Sequence, residues 1–184
     1  MSSMFTTVSR FRTGYSPEEV DEFFAQARAV YEGDGAAAAL TAKDVREVAF
    51  SLVQGGYAWD SVDSALDRLE AAFVARERAE YVAQRGQEAW MARMAELARS
   101  LYPRLTRGDG KRFDTAPAFR SGYDKDQVDA LCKRLIAYFD KGQPITSREV
   151  RAAAFRKRRG SSAYAEPAVD AFLSRAAEVL LGVE

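Results

Sequence analysis

Few side chains in this chain are equipped for covalent or proton-transfer chemistry. Histidine is absent and Cys132 is the lone cysteine. That removes an imidazole base, a Ser-His-Asp or Cys-His pair, a His/Cys metal cluster and an internal disulfide. Carboxylates and lysines remain, but no spacing pairs them for acid/base work. The sequence therefore assigns no catalytic, cofactor-binding or metal-ligating residue, and the chain is expected not to be an enzyme. Cys132 falls at a stripe position of a helical pattern and reads as a small core side chain.

The remaining chemistry is that of surfaces. Arg156-Lys157-Arg158-Arg159 is the densest basic run. It suits anionic lipid or nucleic acid. It also follows a helix starting near Thr146, and cations at a helix end favour the dipole, which is the reading preferred here. Phe11-Arg12 and Phe119-Arg120 pair an apolar ring with a cation. Such pairs suit a membrane interface, yet each Phe is expected to pack under its own loop. Trp59, Trp90, Tyr31, Tyr81 and Tyr138 are read mainly as helix packing rather than a partner surface. The Arg107-Gly108-Asp109 tripeptide is read as coincidence.

The elements that hold these residues repeat. Four segments align: Gly14-Tyr15-(x4)-Val20-Asp21, Gly56-Tyr57-(x4)-Val62-Asp63, Gly122-Tyr123-(x4)-Val128-Asp129 and Tyr164-(x4)-Val169-Asp170. Ser16 reads as an N-cap, Pro17 as the first helical residue and Glu19 as the completion of a capping box. Asp124 and Gln127 repeat that arrangement, while Ala58 is a poor cap for the second copy. Tyr and Val then form a hydrophobic staple, the Gly supplies a positive φ, and the Asp favours the helix dipole. An i, i+3, i+4, i+7 apolar stripe follows each Val, for example Val128, Leu131, Cys132 and Leu135.

The copies also pair. Leu40-Thr41-(x3)-Val45-Arg46-(x3)-Phe50 leads into the second copy, and Ile145-Thr146-(x3)-Val150-Arg151-(x3)-Phe155 into the fourth. Thr41 with Asp44 and Thr146 with Glu149 predict capping boxes. The organisation expected is a first repeat pair at 1–75, a helical connector and loop at 76–110, and a second repeat pair at 111–184. One helix from about Asp60 to Tyr102 is predicted, continuous or broken near Gly86, with coiled-coil-like 4-3-4 apolar steps. The loop at 106–111 is the expected flexible joint. The fold class expected is all-α: four short helical units in two tandem halves joined by a long central helix.

Hydrophobic residues make up 47% and charged residues 29%, which argues against wholesale disorder. No apolar run approaches ~18 residues, and the N-terminus lacks a signal-peptide pattern, so a cytoplasmic location is expected. Net charge is zero but uneven. Residues 1–75 carry 6 Lys/Arg against 12 Asp/Glu, and residues 104–184 carry 16 against 11. That contrast suits pairing of the halves as a pseudo-dimer within one chain or a homodimer between chains, and nucleic acid is not an expected partner.

The Leu40-Thr41-Ala42-Lys43-Asp44-Val45 helix start, a Phe, and the Gly-Tyr-(x4)-Val-Asp repeat resemble the DivIVA domain in its actinobacterial repeat form, over about 150 residues. The resemblance implies a non-catalytic cytoplasmic scaffold that recruits growth and division machinery at the inner membrane surface of poles and septa. It implies aromatic–arginine tips before the Gly-Tyr, for which Phe11-Arg12 and Phe119-Arg120 are the nearest counterparts. It implies no cofactor. The alternative is a helical small-molecule-binding or enzyme-associated domain with a pocket between the halves.

Overall fold

A computed structural model describes residues 4–33 and 40–184; the first three residues of the segment weighed as a leader lie outside them. The chain divides into two compact units, Met1–Ala79 and Glu80–Glu184. Unit 1 contains β1 (Thr13–Tyr15), α1 (Pro17–Glu32), α2 (Ala42–Glu47), β2 (Leu52–Gln54) and most of α3 (Trp59–Arg85). Unit 2 contains α4 (Gln87–Arg99), α5 (Tyr102–Leu105), β3 (Ser121–Asp124), α6 (Lys125–Lys141), α7 (Ser147–Arg151), β4 (Lys157–Arg159), a short 3-10 turn, β5 (Ala163–Tyr164) and α8 (Glu166–Val183).

The all-α expectation is wrong. The structure is 62% helix and 10% strand, with two small antiparallel sheets. Two of the strands, β1 and β3, hold Gly-Tyr segments, and all five are too short for periodicity arguments to reveal. In unit 1, β1 pairs with β2, and Tyr15 also bridges Tyr57, their amides and carbonyls exchanging hydrogen bonds of 3.0 and 2.8 Å. In unit 2, β3 lies between β4 and β5, with Tyr123 opposite Tyr164. The two tyrosines of each repeat pair therefore face each other across an antiparallel ladder.

This pairing explains the glycines, and not by the positive φ expected. Gly14, Gly56 and Gly122 all have ordinary φ. A Cβ on Gly14 would sit 2.3 Å from the Tyr57 carbonyl oxygen, and one on Gly56 equally close to that of Tyr15. On Gly122 it would lie 2.1 Å from the Tyr164 oxygen. Glycine is needed because backbone meets backbone.

The predicted capping boxes at Thr41/Asp44 and Thr146/Glu149 both form. Ser16 and Asp124 do cap α1 and α6. Glu19 and Gln127, however, do not complete boxes: they accept from the backbone amides of Ser51 and Arg156, each at 2.7 Å, and so tie each helix to the strand of the following copy. The long central helix is interrupted. Gly86, at φ +86°, ends α3 and begins α4, and α5 follows as a separate turn.

The unit 2 core gathers Val128, Leu131, Cys132 and Leu135 of α6 against Val169, Phe172, Leu173 and Leu180 of α8. Trp90 of α4 is buried and donates its indole N–H to the Gly182 carbonyl at 2.9 Å. In unit 1, Val20, Tyr57 and Val62 are buried together, with Tyr15, Phe24, Phe50 and Leu66 packed around them. Among the described residues, no helix is long and apolar enough to cross a membrane.

Candidate interaction tips

The recurring Asp has a second task beyond the helix dipole. The Tyr57 hydroxyl donates to Asp21, 3.0 Å from either carboxylate oxygen, and the Tyr15 hydroxyl bonds Asp63. In unit 2, Tyr164 donates to Asp129 at 3.0 Å and Tyr123 bonds Asp170. Each copy's tyrosine thus seeks the aspartate of the other copy. Gly14, Tyr15, Val20, Asp21, Gly56, Tyr57, Val62 and Asp63 converge on one such exchange, and Gly122, Tyr123, Val128, Asp129, Tyr164, Val169 and Asp170 on another. All four valines are fully buried.

Unit 2 reinforces its exchange. Arg112, buried in the fold, reaches Asp129 at 2.8 Å and Asp109 at 2.7 Å, and its amide donates to the Tyr164 hydroxyl. Gly110 donates its amide to Asp129 at 2.6 Å. Lys133 also pairs with Asp109, at 2.5 Å. The segment expected to be a flexible joint is therefore pinned, and the Asp of Arg107-Gly108-Asp109 is engaged in ion pairs. Sequence reasoning missed Arg112; the only hint was its place just before Phe113. Burial pushes the Tyr164 and Tyr123 phenols up to about 12, and the neighbouring aspartates add to this.

This exchange brings each pair of copies to one end, where the turns before the Gly-Tyr segments protrude. Phe11 sits on a turn closed by the Arg12 amide on the Ser9 carbonyl at 2.8 Å. Phe119 sits on one closed by the Arg120 amide on the Pro117 carbonyl at 2.9 Å. Neither Phe packs under its loop, contrary to expectation: Phe11 is 79% exposed and Phe119 98% exposed. The Arg10 guanidinium lies over the Phe11 ring at 4.7 Å.

The basic run is not a helix end either. The helix α7 stops at Arg151, and Lys157–Arg159 form the outer strand β4 beside β3. The sheet register sets Ser121 opposite Arg159 and Tyr123 opposite Lys157. Two sequence candidates more than thirty residues apart, Phe119-Arg120 and Arg156-Lys157-Arg158-Arg159, are thereby joined at one tip. Their charges are partly neutralised. Lys157 pairs with Glu166 at 2.5 Å and lies 4.3 Å from the Tyr123 ring centre. Arg158 pairs with Asp124 at 2.7 Å, and that cation holds the Asp124 carboxyl below the usual range. Among the described residues, Arg120, Arg156 and Arg159 have no acidic partner.

The chemistry available elsewhere is narrow. Cys132 is buried, and burial raises its thiol to about 12, so it is not a ready nucleophile. Among the described residues, no group of three or more His, Cys, Asp or Glu side chains is placed to hold a metal ion. Of the aromatic candidates, Trp90 is buried, Tyr81 and Tyr138 are half-buried, and Trp59 and Tyr31 are exposed. No family model, curated protein or solved structure matches the chain.

Proposed function

We propose that this chain is a non-catalytic scaffold or adaptor of the DivIVA-like kind, working through its two tips on proteins and on the inner membrane surface, at a pole or septum. The observation that carries this reading is the exposure of Phe11 and Phe119 on strand turns flanked by arginines. An apolar ring displayed at the apex of a polar turn costs hydration unless something covers it. Each Phe transferred to an acyl boundary contributes about 1.5–3 kcal/mol. Each cation near an anionic leaflet adds ~1 kcal/mol. One such tip alone anchors weakly. The motif resemblance points to the same role and to growth and division machinery as the recruited partner.

Co-sedimentation with vesicles rich in anionic lipid tests this. The wild type is expected to pellet at low salt, with the bound fraction falling as salt screens the arginines. The Phe11→Ala/Phe119→Ala variant is expected to remain in the supernatant. A wild type that never pellets removes the membrane part of the proposal.

A further inference from the structure

The two units treat one equivalent surface in opposite ways. In unit 2 the first-copy tyrosine, Tyr123, is roofed by Lys157, whose ammonium pairs with Glu166. The register puts Leu52 at the place of Lys157, opposite Tyr15. Trp59, two residues after Tyr57, stands at the place of Glu166, two residues after Tyr164. Unit 1 therefore replaces a salt bridge with a leucine and a tryptophan. Both remain open: Leu52 is 57% exposed and Trp59 47% exposed. The Trp59 ring lies 6.4 Å from that of Tyr15, and Phe50 abuts Tyr15 on the same face at 5.6 Å.

The edge of β2 is open as well. Leu52, Val53 and Gln54 form an outer strand with no charge, whereas β4 carries three cations in the same place. Charged edges discourage association, and uncharged apolar edges invite it. Acids rim the unit 1 surface: Asp60 follows Trp59 directly on α3, and Asp63, one turn further on, bonds Tyr15. Burial raises the Asp63 carboxyl, and the nearby Asp67 and Asp60 add to this. Unit 1 carries 8 Lys/Arg against 13 Asp/Glu, and unit 2 carries 19 against 14.

An apolar face with an acidic rim calls for an apolar plug with a basic collar. The chain itself carries one. Phe119 projects from unit 2 at 98% exposure, next to Arg120, at the end of the ladder where Ser121 lies opposite Arg159. We infer that the unit 2 tip of one copy docks on the Leu52–Trp59 face of unit 1 in a second copy. Such a contact joins two different patches, so each copy can both give and receive one. A contact made by one ring and the cations next to it is expected to be weak and to depend on concentration. It needs no lipid and does not rest on membrane contact.

Sedimentation velocity of the full chain without lipid tests the inference. Average mass is expected to rise with protein concentration at low salt and to fall toward the monomer near ~0.5 M salt. Leu52→Lys/Trp59→Glu copies the unit 2 salt bridge onto unit 1, so it keeps a locally proven arrangement while closing the face. Phe119→Ser removes the plug from an exposed position. Each variant alone is expected to be monomeric, with association weakened at least ~10-fold. Mixed in equal amounts, the two are expected to form a one-to-one pair and nothing larger, because each supplies what the other lacks. A wild type that is monomeric throughout overturns the proposal. So does association unaffected by either variant, or a mixture of the two that stays monomeric. The Leu52→Lys/Trp59→Glu variant is expected to keep vesicle binding, which separates this contact from the membrane reading.

Discussion

Tyrosine and aspartate recur in this chain because each copy completes the other. A tyrosine hydroxyl buried beside a carboxylate needs that partner, and hydrogen bonds to charged groups contribute more than neutral ones. Tyr57→Phe leaves Asp21 half-exposed to water, so a loss of about 1–2 kcal/mol is expected by chemical denaturation. Tyr164→Phe removes the donor to buried Asp129 and the acceptor of the Arg112 amide together. Its expected cost is larger, about 3 kcal/mol. Equal losses at the two sites would contradict the special role given to Arg112. Gly122→Ala forces a methyl into the Tyr164 carbonyl and is expected to cost on the order of 3 kcal/mol by the same measurement. The phenols add a pH signature. Tyr123 and Tyr164 are raised from 10.0 to about 12 in the fold. Their contribution is therefore complete below about pH 10 and lost as pH rises toward 12, where tyrosinate absorbance and unfolding should appear together.

Among the elements, the helices follow local rules and the strands do not. Thr41 and Thr146 stand where a cap is needed, each with an acid three residues on, and the boxes form as predicted. The Asp44 carboxyl is held low by its bonds to Thr41, and that of Glu149 by Arg134 and Thr146. Depressed acids stabilise the fold above their unfolded range and lose that contribution as pH falls through their folded values. The melting temperature is therefore expected to drop as pH falls below the ordinary carboxylate values of 3.8 and 4.5, and Asp44→Asn/Glu149→Gln to flatten part of the drop. Asp63 acts in the opposite sense: burial raises its carboxyl, so its contribution is present at low pH and lost as pH rises. Gly86 marks an element boundary by its positive φ, with open space where a Cβ would point. Gly86→Ala is thus expected to cost about 1–3 kcal/mol from backbone strain alone, read from the shift in thermal midpoint.

The two units bury very different amounts of apolar surface. Unit 2 wraps α4, α6 and α7 around α8, whose buried residues run from Val169 to Gly182. Among the described residues, unit 1 buries a shorter set centred on Val20, Tyr57 and Val62. Hydrogen exchange is therefore expected to show the slowest amides in α8 and earlier opening of α1 and α2. Uniform protection across both units would contradict this difference.

The amino-acid order alone determined the fourfold repeat, its grouping in pairs, the helix caps at Thr41 and Thr146 and the buried character of Cys132, while it left the helix through Gly86 continuous or broken. These depend on neighbours within one or two turns, which spacing along the chain reports directly. Tertiary structure decided what the repeats are for. The strand role of Gly-Tyr, the true reason for Gly14, Gly56 and Gly122, the exchange of tyrosine and aspartate between copies, and the strand bearing Lys157–Arg159 all depend on contacts between residues tens of positions apart. So does the contrast between the Leu52–Trp59 face and the Lys157–Glu166 bridge. A strand of two to four residues has too short a pattern to show a period, and its partner is set by where the helices carry it.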